Sequence, residues 1–236
     1  MIKTIKSEER HHANFGWLDT HWHFSFDSYH DPANVNWGAL RVFNDDIVEP
    51  GQGFGMHPHR DMEIITYVLA GEIEHKDSSG NRGLIHPGEV QVMSAGTGIL
   101  HSEYNHSQEE PLHFLQIWIL PRRSGLKPRW EQHQFAPSAR KGKLLPIVSG
   151  GELKGTLAID QDAQIYVSAL PAGSEVKHQS QPHRKAYVFA IEGEVSVNGV
   201  KLAAGDQARI ADEPALSIKA SKDSELILLD LPELQN

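Results

Sequence analysis

Two short segments of the sequence carry residues of the types that bind metal ions, at a spacing that suits a β-strand. His57 and His59 lie one residue apart in FGMHPHRDME, and His101 and Glu103 have the same spacing in ILHSEYN. Residues i and i+2 of a strand point to the same face, about 7 Å apart. Each pair can therefore face the interior of a barrel, where the two pairs would meet. Three imidazoles and one carboxylate suit Fe(II), Mn, Ni, Cu or Zn.

An ordinary explanation competes with metal binding for each histidine taken alone. The chain has fifteen histidines among 236 residues and no cysteine, and an isolated His-x-His pair is more often part of a polar strand than a ligand pair. A second pair of ligand types, with glycine turns between the two, shifts the balance towards a metal site. His75, in contrast, lies just before a turn and is predicted to be exposed to solvent.

The composition limits the classes of partner. The net charge is −9 and no run of Lys and Arg occurs, which argues against nucleic acid and anionic membranes. Hydrophobic residues make up 39% of the chain, enough to bury a core. The N-terminus lacks an apolar region, and no stretch of about 18 apolar residues occurs. With no cysteine framework, we expect a soluble cytoplasmic protein.

Short β segments separated by turns make up most of the sequence. The first half contains ITYVL, GEIEH, EVQVM, ILHSEY and HFLQIWIL, separated by DSSGN, HPGE and SAGTG. Residues 121–143 are polar and contain proline, which predicts a linker. The pattern resumes in IYVSAL, AYVFAIEGEVSVNGVKL, LSIKA and ELILLDL, where Asn198-Gly199 predicts a type I′ hairpin. Such strands indicate a sandwich or barrel, and a weak repeat of YVLAGEIE in YVFAIEGEV favours two similar barrels over one large sandwich.

Two longer motifs resemble those of the cupin superfamily. Gly51–Glu63 resembles the first cupin motif, with its glycine, His-x-His and glutamate, although the closing glycine falls one residue late, at Gly71. Gly88–Asn105 resembles the second motif, although Ser94 replaces the usual proline and the turn is longer. Within the cupins the sequence is most similar to the pirin family, in its bacterial quercetin 2,3-dioxygenase-like branch. The segments HPHRDMEIITYVLAGEIEHKDSSGN, MSAGTGILHSEYN and LQIWILP carry this resemblance.

The resemblance implies an all-β fold of two tandem cupin (jelly-roll) barrels. The expected domains are residues 1–130, a metal-binding barrel, and residues 131–236, a degenerate barrel. In pirins the metal ligands correspond to His57, His59, His101 and Glu103, whereas Glu63, which matches a ligand of other cupins, is left out. The expected ion is Fe(II), with Ni, Cu, Mn, Co or Zn as alternatives. Counting from the repeated glycines assigns counterparts without a good ligand set to the second barrel: Gln179, Gln181, Ile218 and Ala220.

The resemblance also implies an activity, the cleavage of flavonols such as quercetin with O₂, in which the central ring opens and carbon monoxide is released. Glu103 is the expected base for the flavonol hydroxyl. The aromatic segment GWLDTHWHFSFDSY is expected to pack on the barrel surface rather than line the substrate pocket. One alternative is an iron-dependent regulatory protein that acts through protein–protein contacts without turnover. Another is a binding module with a structural metal. A flavonol-like substrate and O₂ are the expected ligands, and the regulatory alternative adds a protein partner.

Overall fold

More than half of the chain forms β-strands in the computed structural model, which describes residues 1–234 and confirms the all-β fold class. The strands of the first half are β1 (Ile2–Ile5), β2 (His11–Asn14), β3 (Leu18–Trp22), β4 (Leu40–Val48), β5 (Gly53–His59), β6 (Glu63–Ala70), β7 (Ile73–Asp77), β8 (Arg82–Ile85), β9 (Glu89–Ser94), β10 (Ile99–Asn105), β11 (Leu112–Ile119) and β12 (Arg129–Gln134). Those of the second half are β13 (Leu145–Ser149), β14 (Leu157–Ala158), β15 (Gln164–Leu170), β16 (Glu175–Gln179), β17 (Arg184–Glu192), β18 (Glu194–Val197), β19 (Val200–Ala203), β20 (Gln207–Ala211), β21 (Ala215–Ala220) and β22 (Ser224–Pro232). The helical segments among the described residues are a 3₁₀ turn, Ser7–Glu9, and α1 (Pro137–Arg140).

The strands form two barrels, each made of a seven-stranded and a four-stranded sheet. The first barrel has the orders β12-β9-β6-β11-β4-β3-β2 and β5-β10-β7-β8. The second has the orders β1-β20-β17-β22-β15-β13-β14 and β16-β21-β18-β19. All strand pairs are antiparallel except the short pair β13–β14. This architecture confirms the expected pair of tandem cupin barrels.

Burial follows the position of each strand in these sheets. Strands β6 and β22 are buried along nearly their whole length, because both faces of the large sheets are covered. Their sequences, EIITYVLA and SELILLDLP, are correspondingly apolar at most positions. Along β7 and β16 of the small sheets, buried and more exposed residues alternate, since only one face of these strands is covered.

A single buried cluster joins the two large sheets. It includes Phe43 and Leu115 from the first barrel and Tyr187 and Phe189 from the second. The rings of Phe43 and Phe189 lie edge to face, with centroids 5.2 Å apart. Smaller cores fill the space between the large and small sheet of each barrel. The two barrels therefore share one hydrophobic core across their large sheets.

Strand pairing crosses the predicted division between residues 130 and 131 at two places. Strand β1, from the N-terminus, pairs with β20 of the second barrel. Strand β12 spans the division itself and pairs with β9 along its whole length. The exact division of the chain into two domains stays a prediction. The last two residues of the predicted second domain, 235 and 236, lie outside the described part of the chain.

The interpretation of residues 121–143 as a linker is wrong for its middle part. Strand β12, with the sequence RWEQHQ, closes the edge of the first barrel's large sheet. An edge strand needs few apolar residues, because its backbone pairs on one side while most of its side chains stay partly or fully exposed. The polar composition of the segment therefore concealed a strand.

Three turns agree with the sequence. Asn198 and Gly199 have φ angles of +47° and +85° between β18 and β19, as a type I′ hairpin requires. The repeated glycines Gly71 and Gly193 both have φ of +76°. A Cβ atom at these positions would lie 2.7 Å and 2.2 Å from the backbone oxygens of Pro111 and Asp223. The weak sequence repeat therefore marks equivalent turns of the two barrels.

The shared core generates a stability prediction. Phe189→Ala should lower the free energy of unfolding by about 3–5 kcal/mol, because it removes a buried ring between the large sheets. Denaturant unfolding followed by circular dichroism measures this loss. Phe15→Ala is the matched control, since Phe15 is 49% exposed, and it should change stability by about 0.5 kcal/mol or less. Equal losses for the two variants would contradict a shared core.

Candidate metal centre

Three of the four predicted ligands meet on adjacent strands of the first barrel's small sheet. In the pairing of β10 with β5, His101 lies opposite His57, and Ile99 lies opposite His59. The ring centroids of the three histidines are 4.4, 4.8 and 4.9 Å apart. One nitrogen of each ring lies within 4.8 Å of the others. This spacing allows three imidazoles to converge on one ion.

Glu103 belongs to a second group that shares His101 with the first. On its other side β10 pairs with β7, and Glu103 lies opposite His75. The ligand atoms of His75, His101 and Glu103 also lie within 4.8 Å of one another. The pairing with β5 shifts register between His101 and Glu103, because Phe54 and His57, three residues apart on β5, lie opposite two positions that are only two residues apart on β10. The other three predicted ligands therefore lie around His101, but they belong to two groups that have only His101 in common.

The prediction that His75 is exposed is wrong. Its side chain is fully buried, its ring stacks on Trp130 at 5.2 Å, and its Nδ1 has no hydrogen-bond partner within residues 1–234. Strand β7 continues to Asp77, so the nearby turn begins only after the histidine. The sequence contained a sign of this burial. Ile73, His75 and Asp77 are spaced two residues apart, so they share one face of β7, and they alternate with less buried residues.

The protonation state of His59 and His101 suits the binding of a cation. Burial, and then the nearby His57 and His75 rings, lower the pKa of His101 to about 3. Burial and the His101 and His57 rings lower the pKa of His59 to about 4. Both rings are therefore neutral at neutral pH and keep a free lone pair.

The hydrogen bonds of these rings support the same conclusion. Nδ1 of His57 lies 2.7 Å from the carbonyl oxygen of Gly55, so it carries the proton and leaves Nε2 free. Both ring nitrogens of His101 lack a partner in the described chain, although the residue is only 1% exposed. A buried polar group without a partner costs about 1–3 kcal/mol. A metal ion would satisfy one of these two nitrogens, so the residues present fit the expected group.

The carboxylate of Glu103 accepts hydrogen bonds on both oxygens. Nε2 of Gln91 donates to Oε1 and Nε2 of Gln116 donates to Oε2, each at 2.7 Å. Glu103 is 3% exposed. Carboxylate oxygens that accept hydrogen bonds keep further lone pairs, which can also coordinate a cation.

A cavity of about 530 Å³ opens onto the candidate metal centre. His57, His59 and Glu103 form one part of its wall. Its polar wall also includes Asn44 and Asp46, and burial raises the pKa of Asp46 to about 7. Most of the remaining wall is aromatic or aliphatic, formed by Phe15, Trp17, Leu18, Trp22, Phe26, Phe54 and Trp118. The size and lining are typical of a site for a small aromatic ligand.

The expectation that the segment GWLDTHWHFSFDSY only packs on the barrel surface is wrong. Trp17, Trp22 and Phe26 line the cavity. Trp22 packs edge to face against Phe26 at 5.6 Å, and Phe26 against Trp118 at 5.4 Å. Sequence reasoning missed this role because β3 lies at the side of the large sheet, and only its pairing with β4 brings these rings over the small sheet.

Glu63 lies outside both metal-binding groups of the described residues. It is 2% exposed and accepts a hydrogen bond of 2.6 Å from Ser94 Oγ. Burial raises its pKa. The position that binds metal in other cupins is therefore occupied here by a carboxyl group with a different partner.

The predicted counterparts in the second barrel are wrong by one or two residues. Strand β21 lies between β16 and β18 as β10 lies between β5 and β7. The two small sheets can be aligned so that Val195 matches Ile73. The strand pairings then place His178, Ser180, Leu216 and Ile218, in that order, at the positions of the candidate ligands His57, His59, His101 and Glu103. Counting from the glycines failed because the turns before and after these strands differ in length between the barrels.

The one histidine among these counterparts already has partners. Nε2 of His178 lies 2.7 Å from Oδ2 of Asp230, and the hydroxyl of Ser180 donates to the same oxygen at 2.6 Å. Arg184 donates to the other oxygen of Asp230. The equivalent position of the second barrel thus carries a closed network of polar groups.

Comparisons with known proteins agree with the fold. The pirin family model matches residues 5–119, and a model described as the quercetinase C-terminal cupin domain matches residues 146–231. The chain is 50% identical over 233 residues to a protein of Escherichia coli strain K12 named quercetin 2,3-dioxygenase, covering 98% of this chain and 99% of that one.

Two solved structures from Escherichia coli are also similar. The structure of YhhW has a TM-score of 0.95 at 47% identity and covers all of both chains. The bacterial pirin YhhW in complex with nickel(II) has a TM-score of 0.94 at 48% identity, covering 99% of this chain and 100% of that one. No helix within residues 1–234 has the length and apolar character to span a membrane. On its two family models and a relative that is half identical across nearly its whole length, the chain belongs to the pirin family of the cupins.

Proposed function

We propose that this chain is a metal-dependent dioxygenase that cleaves flavonols such as quercetin, opening the central ring with O₂ and releasing carbon monoxide. One observation supports the proposal best. His57, His59 and Glu103, which belong to the candidate metal groups, line a cavity whose wall is largely aromatic. A relative at 50% identity is named for the same activity. Flavonol-like molecules and O₂ are therefore the proposed substrates.

The proposed ligands of one divalent transition metal per chain are His57, His59, His101 and Glu103. We prefer Fe(II), with Ni, Cu, Mn, Co or Zn as alternatives, because the donor set suits several first-row ions. Nickel has the additional support of the nickel(II) complex of a similar bacterial pirin. When bound, the ion would supply a Lewis acid that lowers the pKa of the substrate hydroxyl.

Glu103 is the proposed base for the 3-hydroxyl of the flavonol. Its carboxylate reaches the cavity, and amide donors on both oxygens hold it as a proton acceptor. Trp22, Phe54 and Trp118 offer flat apolar surfaces against which the rings of a flavonol can pack. In this proposal the cavity orients the substrate and Glu103 removes its proton.

Other parts of the interpretation stay predictions. These are the cytoplasmic location, the absence of a nucleic-acid or membrane partner, and the two domains at residues 1–130 and 131–236. A protein partner belongs to the regulatory alternative, in which the metal state would change binding to another protein without turnover.

The first prediction of this proposal concerns metal content. His101→Ala should lower the bound metal at least tenfold, because His101 belongs to both candidate groups. His178→Ala combined with His183→Ala is the control and should leave the content at one ion per chain. Elemental analysis of protein purified without added metal measures both. Two tightly held ions per chain would contradict the assignment.

The second prediction concerns stability. An ion that binds only the folded chain stabilises it by about 2.7 kcal/mol when its free concentration is a hundred times Kd. Chelator treatment should therefore lower the melting temperature, and added metal should restore it. The apolar strands should still fold without the ion. A melting temperature that does not respond to chelator would argue against a metal shared between β5 and β10.

The third prediction concerns Glu103. With metal restored to saturation, Glu103→Gln should cleave flavonols about a hundredfold or more slowly than wild type, because the amide cannot accept the proton. Glu63→Gln, another buried glutamate of the same barrel, is the matched control and should keep most of the activity. Loss of the flavonol absorption band in air, with carbon monoxide and the ring-opened ester identified, measures turnover.

Three outcomes of this assay would count against parts of the proposal. A metal-loaded wild-type protein that leaves several flavonols intact in air would contradict the dioxygenase assignment. A metal-dependent change in binding to a protein partner would then favour the regulatory alternative. Normal turnover by metallated Glu103→Gln would leave Glu103 as a ligand only.

A further inference from the structure

The carboxylate of Glu103 is held by two buried glutamines from the opposite sheet. Gln91 lies on β9 and Gln116 on β11, and they are 2% and 8% exposed. Each donates one amide N–H to a different oxygen of Glu103 at 2.7 Å. The orientation of Glu103 therefore depends on which way each amide group faces.

Further donors determine the direction of these amides. The indole Nε1 of Trp130 lies 2.8 Å from Oε1 of Gln91. Because an indole N–H can only donate, it must face the amide oxygen, which leaves the NH₂ group of Gln91 directed at Glu103. The second N–H of Gln91 donates to the hydroxyl of Thr66 at 2.9 Å. That hydroxyl donates in turn to Oε1 of Gln116 at 2.8 Å.

The resulting network has one direction throughout. It begins at the indole of Trp130, passes through Gln91, Thr66 and Gln116, and ends on the carboxylate of Glu103. If the indole N–H were absent, Gln91 could rotate its amide and turn the oxygen towards Glu103. Two acceptors would then face each other, and the carboxylate would have to move or lose a hydrogen bond.

Trp130 has a second contact with the same centre. Its ring stacks on His75 with centroids 5.2 Å apart and an interplanar angle of 11°. The ring of His75 lies 5.4 Å from that of His101. Trp130 comes from β12, in the part of the chain between the residues matched by the two family models. A strand outside both matched segments therefore contacts two neighbours of the candidate ligands.

We propose that Trp130 is a positioning residue of the metal centre, which orients Glu103 through the amide of Gln91. This inference rests on the proposed role of Glu103 as a metal ligand. Partners that hold metal ligands commonly change metal affinity or activity by about 10–100-fold when they are removed. Trp130 would act at this level without touching the ion or the substrate.

The test uses Co(II), whose visible absorption reports the geometry of its ligands. Trp130→Phe keeps an aromatic ring against His75 and removes the indole N–H together with part of the bicyclic ring, a loss of bulk that the control variant shares. We expect this variant to shift the absorption bands of the Co(II)-loaded protein and to weaken Co(II) binding about tenfold. Its kcat for a flavonol should fall more than its KM changes. Trp37→Phe is the matched control, because Trp37 also donates its indole N–H, to the carbonyl of Ala186 at 3.0 Å, but far from Glu103.

A double-variant cycle tests the route through Gln91. Gln91→Leu should change the Co(II) spectrum and affinity at least as much as Trp130→Phe. The double variant should be no worse than Gln91→Leu alone, since the indole would have no amide left to orient. Effects that simply add would overturn the proposed route.

Other results would also overturn the proposal. One is a Trp130→Phe protein with the wild-type Co(II) spectrum and affinity, and another is an equal change in Trp37→Phe. Because these readouts need no substrate, a wild-type protein that binds Co(II) but cleaves no flavonol would contradict the dioxygenase assignment alone. A wild-type protein that binds no Co(II) would overturn both.

Discussion

The position of β10 between β5 and β7 is the constraint on which the candidate site depends. Backbone pairing on one side places His101 opposite His57, and pairing on the other side places Glu103 opposite His75. A slip of one residue in either register would turn the affected side chains to the outer face of the sheet. The pairing with β5 shifts register between His101 and Glu103, whereas the pairing with β7 is continuous. The geometry of the metal groups is thus a property of strand register.

The rest of the fold makes this register stable. The large sheet covers the inner face of the small one, and its own outer face packs against the second barrel through a shared core. This arrangement buries His101 and Glu103 away from water while leaving one side of the group open to the cavity. Buried imidazoles without hydrogen-bond partners reduce stability. The second barrel contributes by covering the outer face of the large sheet that closes the site.

The two barrels satisfy the polar groups at equivalent positions in different ways. In the second barrel, His178 and Ser180 share Asp230, whose other oxygen accepts from Arg184. In the first barrel, the ring nitrogens of His101 have no partner in the described chain, and the amide groups of Gln91 and Gln116 donate to Glu103. The second barrel thus has an internal polar network at these positions. The other keeps free lone pairs next to a cavity.

The sequence by itself determined the more apolar strands, the repeated glycine turns and the His-x-His and His-x-Glu pairs. These features are local, because a period of two, a left-handed turn and a ligand type are all encoded within a few residues. The burial of His75, the pairing of β12, the aromatic cavity wall and the counterparts His178 and Ser180 were decided by the tertiary structure. Each depends on which distant strand lies alongside and how long the intervening turns are. The polar segment containing Trp130 illustrates this best, since its edge position, and not its composition, brings its indole to Gln91.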